Sequence, residues 1–469
     1  MRRTRPDPSH PTLVPPPWGA DIEAGSPGQR TRTGELASRM ASRRLKATRR
    51  HTMRFIHTAD WHLGRTFHNV SLVEDQAHVL DQLVALVKET RADALVVAGD
   101  VYDRAVPPTD AVRLLGDVLE RVVVGLEVPV VMIAGNHDSP DRLEFGAPLL
   151  SSRGLHVRGT LAPDAGPVVL HDEHGPVGFF LLPYAEPPLV RERLGEDGLR
   201  SHDEAMRALT ARILGSVVPR PDLLPRTVLL AHCFAAGGEA SESERPLTVG
   251  GAGTVDPGCF RGFSYTALGH LHRPQTFGAR VRYSGSLLKY SFSEADHRKS
   301  ASVVELDATG NVTVEEIPLS PRRDVRIVEG FLKELLGEAS REPGAKGEEP
   351  AATSGSAPPG AGRRTGGPAD SVVGSREDYL LVRLLDKEAI LDPMGKLREV
   401  FPNALHVERP GLWSTGEVQV VGRERLRASV MDLFAAFFQE MTDEPLDDRQ
   451  RAAFAEIVEE MDMEKREAT

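Results

Sequence analysis

Five short groups of acidic, amide and histidine residues carry most of the chemistry that this sequence suggests. They read Asp60-x-His62, Gly99-Asp100, Gly135-Asn136-His137-Asp138, Ala231-His232 and Gly269-His270-Leu271-His272. Carboxylate, amide and imidazole ligands without a thiolate suit hard to borderline divalent ions. Two such ions about 3.5–4 Å apart can clamp an in-line displacement at phosphorus. The residue types therefore predict a two-metal phosphoesterase.

Short apolar runs precede most of these groups and would position them. Such runs occupy residues 55–56, 94–97, 130–133 and 228–230. In an α/β fold, ligand-binding residues collect at the carboxyl ends of the strands. Each group alone is a weak signal, because Gly-Asn-His-Asp also suits a turn and a lone histidine is more often an ordinary surface or core residue. Five groups in order, after strand-like runs, make coincidence improbable.

From Met53 onward, strand-like and helix-like segments alternate, which predicts an α/β fold with a parallel sheet and covering helices. The predicted strands are 54–57, 94–98, 129–134, 156–159, 167–171, 177–182 and 226–231, and the predicted helices are 72–89, 109–122 and 203–215. We expect Thr109 to cap the second helix, with Val112, Leu115 and Leu119 on its apolar face. Residues 264–318 are expected to add mostly antiparallel strands.

Residues 337–376 are rich in Gly, Pro, Ser, Ala and charge, which predicts a disordered linker. Strand-like and helix-like segments lie on both sides of it: 325–328, 331–336, 379–383, 392–400 and 404–408. A long surface loop costs little closure entropy, so these segments could form one small α/β domain. The predicted domains are therefore 53–320 for the catalytic part and 321–410 for the smaller part.

The last stretch, 423–469, is acidic and has helical periodicity. An apolar stripe comprises Val430, Leu433, Phe434 and Phe437, and a second helix is predicted over 447–463. These segments could form a helical hairpin that packs on its own domain, or a docking module for a partner helix. The sequence leaves both possibilities open.

Residues 1–52 are rich in Pro, Arg and Ser, with no hydrophobic periodicity and no apolar core of a secretory signal. We expect a disordered extension, and the position of Met53 directly before the first strand favours it as the true start of translation. The alternatives are a segment that mimics a transit peptide and a basic arm that binds nucleic acid.

The overall composition limits the classes of function. With 57 Lys and Arg against 68 Asp and Glu, the net charge is −11, so there is no bulk basic field for nucleic acid. Any contact with DNA must come from a local groove, from metal-neutralised phosphate or from a partner subunit. The two cysteines, Cys233 and Cys259, favour a reducing cytosol over a disulfide framework. No apolar run approaches the ~18 residues of a transmembrane helix.

The order of the five groups resembles that of the calcineurin-like metallophosphoesterases, whose fold is two β-sheets packed face to face with helices outside. The resemblance implies one ion bound by Asp60, His62 and His272, a second bound by Asn136, His232 and His270, and a bridging Asp100. Mn is the favoured metal, although Mg, Fe and Zn tolerate the same ligands.

The resemblance also implies roles for residues near these ligands. His137 would face the leaving oxygen as a proton donor or charge stabiliser. Asp138 is the expected partner that orients or charges it. Asp103 and Tyr102 could support the ligands or be ordinary loop residues.

A narrower resemblance is to the SbcD family, the nuclease subunits of bacterial SbcCD complexes. The similar segments are His57-Thr58-Ala59-Asp60-Trp61-His62-Leu63-Gly64, Gly99-Asp100-Val101-Tyr102-Asp103, Ala134-Gly135-Asn136-His137-Asp138-Ser139, 265–275 and Arg282-Tyr283-Ser284-Gly285-Ser286. The similarity is strong over about 53–300. Eukaryotic and archaeal relatives usually carry a histidine where this chain has Asp103, which favours the bacterial branch and leaves any exonuclease role of that position open.

The SbcD resemblance implies a Mn-dependent nuclease that cuts double-stranded DNA ends and hairpins during DNA repair, recombination and replication in the bacterial cytoplasm. It implies a small domain that caps the site, and a C-terminal tail that docks on an SbcC-type ABC ATPase. It also implies a homodimer within a heterotetramer, with 72–89 and 109–122 as the candidate dimer face.

Two other functions compete with this one. The first is a phosphatase or phosphodiesterase of the same superfamily that acts on phosphate esters other than nucleic acid. The second is a scaffold that binds DNA or a partner without cutting, which is disfavoured because all seven expected ligands are present.

Overall fold

A computed structural model describes residues 52–220, 222–223, 225–244, 253–339, 375–388 and 390–410, together with scattered positions between 431 and 454. The predicted extension 1–52, apart from Thr52, lies outside the described residues. So do most of the predicted linker 337–376 and most of the tail 423–469. Residues 337–339 of the predicted linker form the end of a helix instead.

The described part of the chain alternates strands and helices. The strands are β1 (Met53–Thr58), β2 (Thr66–Phe67), β3 (Val70–Ser71), β4 (Ala94–Ala98), β5 (Val130–Ile133), β6 (Leu155–Arg158), β7 (Val168–Asp172), β8 (Gly175–Leu182), β9 (Thr227–His232), β10 (Phe234–Ala235), β11 (Thr254–Val255), β12 (Tyr265–Gly269), β13 (Gln275–Phe277), β14 (Val281–Tyr283), β15 (Ser300–Leu306), β16 (Val312–Pro318), β17 (Val325–Gly330), β18 (Tyr379–Leu384) and β19 (Ala404–Glu408). The α-helices are α1 (Val73–Thr90), α2 (Thr109–Leu119), α3 (Pro140–Leu143), α4 (Ala147–Leu150), α5 (Pro187–Leu194), α6 (His202–Val217), α7 (Leu332–Ala339) and α8 (Pro393–Arg398).

Two six-stranded sheets form the larger part of the described chain. The first has the order β16-β15-β1-β4-β5-β6, in which β1, β4, β5 and β6 run parallel and β15 and β16 form an antiparallel edge. The second has the order β13-β14-β12-β9-β8-β7. Here β12 runs parallel to both β9 and β14, so the prediction of mostly antiparallel strands over 264–318 is wrong for this strand. A strand that is buried on both faces reads as a continuous apolar run in either orientation, so its residue pattern does not distinguish the two.

The sheets pack face to face through alternate residues of their strands. Phe55 of β1 contacts Phe179 of β8 edge to face, with ring centroids 5.5 Å apart, and both rings are fully buried. The opposite face of β1, including Ile56, packs in a separate core beneath helix α1. Each fully buried side chain of this size contributes about 1.5–3 kcal/mol of hydrophobic stabilisation. The arrangement is the two-sheet sandwich with outer helices that the family resemblance implied.

The covering helices bury one face each. In α1, Val79, Leu83 and Val87 recur at helical spacing on the buried face. In α2, the buried residues are Ala111, Leu115 and Val118, whereas Val112 is 47% exposed. The predicted apolar face of α2 was therefore wrong at Val112. The prediction that Thr109 caps the helix was also wrong. Pro108, in extended conformation, is the residue before the helix, and Thr109 is the first helical residue. No side chain caps the start of this helix, since proline at the cap position has no side-chain acceptor.

A three-stranded parallel sheet of order β17-β18-β19 forms the smaller part of the fold. Its core includes Val328 and Leu335 from one side of the 337–376 range, and Leu380, Leu397 and Phe401 from the other side. Segments on both sides of that range therefore form one small α/β unit, joined to α1 where the Tyr379 hydroxyl donates to Asp75 at 2.9 Å.

In the C-terminal tail, a few positions are described. Asp447 and Gln450 exchange hydrogen bonds between side chain and backbone at the start of a helical segment, as in a capping box. The rings of Phe434 and Phe454 stack with centroids 3.8 Å apart. Phe434 of the predicted apolar stripe therefore contacts a residue within the predicted second helix. No helix in the described residues is both long and apolar enough to cross a bilayer.

Candidate metal centre

All seven predicted ligands lie at the carboxyl ends of strands, on one edge of the sandwich. Asp60 and His62 follow β1, Asp100 follows β4, and Asn136 follows β5. From the second sheet, His232 is the last residue of β9, and His270 and His272 follow β12. Both sheets therefore deliver ligand residues to the same place, as parallel strands in an α/β fold do.

Asp60, His62 and His272 form the first half of the site. Each offers one ligand atom, and these atoms lie within 4.8 Å of one another. The Nε2 atoms of His62 and His272 are 3.0 Å apart. The three side chains are almost completely buried.

Asn136, His232 and His270 form the second half. The Oδ1 atom of Asn136 lies 3.0 Å from Nε2 of His232 and 3.1 Å from Nδ1 of His270. The two imidazole rings are buried, and Asn136 is half-buried.

Asp100 lies between the two halves. Its Oδ2 atom is 3.6 Å from Nε2 of His62 and 3.6 Å from Nε2 of His232. Its Oδ1 atom accepts a hydrogen bond from the backbone N–H of His137 at 2.9 Å. One carboxylate is thus within reach of both groups of ligand atoms, which is the position expected of a bridging ligand.

The protonation states of these side chains show that their ligand atoms suit a cation. The Nδ1 atom of His232 lies 3.0 Å from the carbonyl oxygen of Ala98, which can only accept a hydrogen bond, so Nδ1 carries the ring proton. Burial lowers the pKa of His232 to about 4, so the ring is neutral and Nε2 has a free lone pair. That lone pair faces the amide oxygen of Asn136. Two acceptors that face each other at 3.0 Å suit a bound cation.

The first half shows the same crowding of acceptors. Burial, followed by the neighbouring histidines, lowers the pKa of His62 well below its usual value. The buried Nδ1 atom of His62 has no hydrogen-bond partner among the described residues. Burial and the charge of Asp100 raise the pKa of Asp60 well above its usual value. Two buried carboxylates and several neutral imidazoles form a site that divalent ions would stabilise.

The backbone of the site is strained at several ligands. Asp60, His62, Asp100 and His270 have positive φ values of 54°, 46°, 49° and 110°. Non-glycine residues in sparsely populated backbone regions cost about 1–3 kcal/mol each and cluster at functional sites. The fold therefore holds these ligand residues in conformations that their own preferences disfavour.

Glycines precede three of the ligands because the chains approach closely there. A Cβ atom on Gly135 would lie 2.1 Å from Oδ1 of Asp100, and one on Gly269 would lie 2.0 Å from the carbonyl oxygen of Ala98. Real Cβ contacts are not that short. The Gly-Asn and Gly-His pairs in the sequence thus reflect the packing of one ligand loop against another.

His137 lies beside the ligands, with its orientation set by a backbone carbonyl. Its Nδ1 atom is 2.9 Å from the carbonyl oxygen of Asp103, and its Nε2 atom is 3.9 Å from Oδ2 of Asp100. Since the carbonyl only accepts, Nδ1 carries a proton and Nε2 faces the site. Ligand atoms of His137, His62 and Asp100 also lie within 4.8 Å of one another.

The two predicted supporting carboxylates have different neighbours. The Oδ1 atom of Asp103 is 3.1 Å from Arg65 and 3.6 Å from Nδ1 of His62. The carboxylate of Asp138 accepts hydrogen bonds from the backbone N–H groups of Val101, Tyr102 and Gly135. Burial, followed by the charge of Asp100, raises the pKa of Asp138 to about 6 despite these bonds. Asp138 thus binds the loops that carry Asp100 and Asn136, and the group within hydrogen-bond distance of Nδ1 of His137 is the carbonyl oxygen of Asp103.

Sequence reasoning missed several buried residues that support the ligands. Gln76 of α1 donates to the carbonyl oxygen of His62 at 2.7 Å. Ser243 contacts Nδ1 of His272 at 2.6 Å, and Glu294 and Lys299 lie behind it. The sequence carries little signal for these residues. Ser291, Ser293 and Glu294 lie close together and Lys299 follows, but the ligands that they support lie far away in the sequence.

Comparisons with known families identify the class of the domain. Residues 53–187 match the calcineurin-like phosphoesterase family. Residues 321–442 match the SbcD_C family, described as the C-terminal domain of a type 5 capsule protein repressor. The chain therefore contains a calcineurin-like metallophosphoesterase domain, whose class is that of metal-dependent phosphoester hydrolases, together with a C-terminal domain of the SbcD_C kind.

Solved structures with a similar arrangement have low sequence identity. The protein TT1561 of Thermus thermophilus is 14% identical, with 57% of this chain and 99% of that chain covered and a TM-score of 0.33. A dimetal phosphatase from Danio rerio is 13% identical, with 58% and 100% covered and a TM-score of 0.35. GAP50, the anchor in the inner membrane complex of Plasmodium, is 11% identical, with 58% and 90% covered and a TM-score of 0.32.

Proposed function

We propose that this chain is the metal-dependent nuclease subunit of an SbcCD-type complex, which hydrolyses phosphodiester bonds in double-stranded DNA ends and hairpins. The observation that carries the proposal is the convergence of seven ligand side chains from both sheets, with Asp100 3.6 Å from a histidine of each half. The match of residues 321–442 to the SbcD_C family favours the nuclease subunit over other phosphoesterases.

Each half of the site would hold one divalent ion, with Mn as the favoured metal. Asp60, His62 and His272 would bind the first, and Asn136, His232 and His270 the second, with Asp100 shared. Bound ions would polarise the phosphoryl group and acidify water at neutral pH. The chain itself excludes bulk water, since the ligands other than Asn136 are almost fully buried.

His137 is proposed as the residue that moves a proton. Because Nδ1 is held by the carbonyl of Asp103, a proton gained by the ring resides on Nε2, which faces the site. From there it can be donated to the leaving oxygen or stabilise negative charge on the phosphoryl group. Asp103 and Asp138 act through the backbone and through neighbouring residues, and are proposed as positioning residues.

Two arginines close to the site support a polyanionic substrate. Arg104, whose side chain is 62% exposed, lies beside Asp103, and Arg65 contacts the same carboxylate. In a chain with net charge −11, such local cations are the groups able to contact DNA phosphates.

The partners are part of the same proposal. The tail 423–469 is proposed to dock on an SbcC-type ABC ATPase, and the small domain to cap the site and place DNA. Two copies would associate through the region of α1 and α2 within a heterotetramer in the bacterial cytoplasm. The Phe434–Phe454 stack supports a paired helical unit as the docking element.

The test is cleavage of an end-labelled duplex and a labelled hairpin by the full chain, with Mn and with Mg, beside a phosphate-monoester control. We expect Mn-dependent DNA cleavage that is lost in Asn136→Ala. Turnover of the monoester with intact DNA would instead assign the chain to the phosphatases of the superfamily. Metal binding without hydrolysis of either substrate would support the scaffold alternative.

A further inference from the structure

We infer that Ser243 and Glu294 are positioning residues that fix the tautomer of His272, so that its Nε2 atom is free to bind the first metal ion. The inference deepens the proposed function and rests on it for the role of the metal. It stands on a chain of buried hydrogen bonds that links four side chains behind the first half of the site.

The chain of contacts begins at the ring of His272. Its Nδ1 atom lies 2.6 Å from Oγ of Ser243, on the side opposite to the Nε2 atom that faces His62. Oγ of Ser243 in turn forms a short hydrogen bond with Oε1 of Glu294. Ser243 and Glu294 are 7% and 0% exposed, so water does not compete for these bonds.

The direction of these bonds follows from which atoms can donate. An ionised carboxylate only accepts, so the single hydroxyl proton of Ser243 points to Glu294. Oγ of Ser243 can then only accept from His272, which requires a proton on Nδ1 of the ring. With the proton placed on Nδ1, the Nε2 atom, which lies 3.0 Å from Nε2 of His62, is the ring nitrogen left to bind a metal ion. Glu294 thus sets the tautomer mainly through Ser243, because its own Oε1 atom lies farther from Nδ1 of His272, at 3.4 Å, than Oγ of Ser243 does.

Lys299 keeps Glu294 ionised and holds the loop of His272 at the same time. Its Nζ atom donates to Oε2 of Glu294 at 2.5 Å, to Oγ of Ser286 at 2.9 Å and to the carbonyl oxygen of His272 at 2.8 Å. The ion pair with the buried ammonium group keeps the Glu294 carboxylate charged. The three N–H donors of the buried ammonium group all have acceptors.

The backbone N–H of His272 is also held, because it donates to Oε1 of Glu244 at 2.8 Å. The ring, the N–H and the carbonyl of this one residue therefore each have a partner. Histidine ligands that donate their other ring N–H to such an outer group bind metal more tightly, and loss of that group typically costs about 10–100-fold in metal affinity or activity.

The test uses the full chain with ¹⁵N-labelled histidine, measured first without metal. In the wild type, the His272 ring, assigned with His272→Gln, should show a proton on Nδ1 only. Ser243→Ala should lose this single tautomer and weaken binding of the first Mn²⁺ ion about 10–100-fold in calorimetry. Ser243→Thr, which keeps the hydroxyl, should restore both properties.

Ser291→Ala is the matched control, because its hydroxyl lies near Oε1 of Glu294 at 3.4 Å but does not contact His272. It should leave the tautomer and the Mn²⁺ affinity unchanged. Glu294→Gln should act in the same direction as Ser243→Ala. The Ser243→Ala variant should fold, because the substitution alters no charge. Circular dichroism checks that it does.

The inference is overturned if Ser243→Ala keeps a single Nδ1–H tautomer and wild-type Mn²⁺ affinity. Failure of the nuclease proposal gives a different result: the wild type would show the predicted tautomer and bind Mn²⁺ but leave DNA and hairpins intact. Because the tautomer and the metal affinity are read without substrate, the two outcomes are distinguishable.

Discussion

The two halves of the metal centre contain similar ligands but are held in place by different means. In the second half, the backbone carbonyl of Ala98 at the end of β4 orients His232. His232 ends β9, and His270 follows the adjacent strand β12. In the first half, side chains from distant segments support the ligands: Gln76 holds the loop of His62, while Ser243 and Glu294 hold the ring of His272.

This difference determines which substitutions can weaken each half. A carbonyl oxygen comes with the strand register and cannot be removed by mutation, so the second half depends on the sheet itself. The supporting side chains of the first half can be removed singly without loss of the sheet. We therefore expect a supporting substitution to weaken the binding of one metal ion, and a ligand substitution to abolish the binding of the ion that this ligand holds.

Removal of one ligand from each half should have the largest effect. Asn136→Ala and His272→Ala should each lower phosphodiester hydrolysis by about 10³-fold or more, because metal ions supply several kcal/mol of charge stabilisation. Calorimetry should show loss of one Mn²⁺ ion in each variant, and circular dichroism should show an intact fold. Near-wild-type activity in Mn²⁺ for either variant would refute the ligand assignment.

His137 should separate catalysis from metal binding. His137→Ala should bind both ions but lose about 10²–10⁴-fold in rate, the typical contribution of a positioned acid or base. Single-turnover cleavage and calorimetry on the same preparation measure the two properties. If an ion is lost with the imidazole, His137 is a ligand with His62 and Asp100 rather than a proton donor.

A substitution at Gly135 should disturb both halves through Asp100. The added methyl group of Gly135→Ala would lie 2.1 Å from Oδ1 of Asp100, so the Asp100 carboxylate must leave the position from which it reaches a histidine of each half. Misplacement by about 1 Å can cost about 10²-fold in rate. Gly116→Ala is the matched control, because nothing lies within 4 Å of its added methyl group and it sits inside α2. Equal activity of the two variants would contradict the close packing.

The sequence predicted the site because its ligands follow strands, and strand ends can be recognised from local pattern. β1, β4 and β5 were found from apolar runs, and the residue types after them indicated a metal. Ser243 and Lys299 could not be found in this way, because their importance comes from contacts with His272, which lies 29 and 27 positions away from them. Such contacts form only when loops of the folded chain meet.

The errors in the predicted fold have the same origin. Val112 has helical spacing with Leu115 and Leu119 but is exposed, since the buried stripe of α2 runs through Ala111, Leu115 and Val118. Which of these two adjacent stripes is buried depends on where the neighbouring helix and sheet lie. Likewise, the parallel pairing of β12 on both sides depends on tertiary contacts that its residues do not reveal.

An effect on stability rather than on activity should distinguish a buried core histidine from the ligand histidines. Both ring nitrogens of His57 have partners, the Tyr265 hydroxyl at 2.9 Å and the Leu268 carbonyl at 3.3 Å. Burial lowers the pKa of His57 from 6.5 to about 3, although the Leu268 bond opposes this. The unfolded chain therefore binds the extra proton first as the pH falls.

The contribution of neutral His57 to stability should be complete above pH 6.5 and decline as the pH falls toward 3. The free energy of unfolding of the wild type minus that of His57→Gln should fall by up to about 1.4 kcal/mol per pH unit in this range. Urea unfolding at several pH values measures the difference. A difference independent of pH, or one that changes when Mn²⁺ is added, would contradict the placement of His57 in the core rather than the metal centre.

Anomalous diffraction from crystals of the full chain soaked in Mn²⁺ would test the central claim most directly. Two strong peaks are predicted at the carboxyl ends of the strands. One should be bounded by Asp60, His62 and His272, the other by Asn136, His232 and His270, with Asp100 contacting both. A single peak, or peaks remote from these residues, would contradict the two-metal centre.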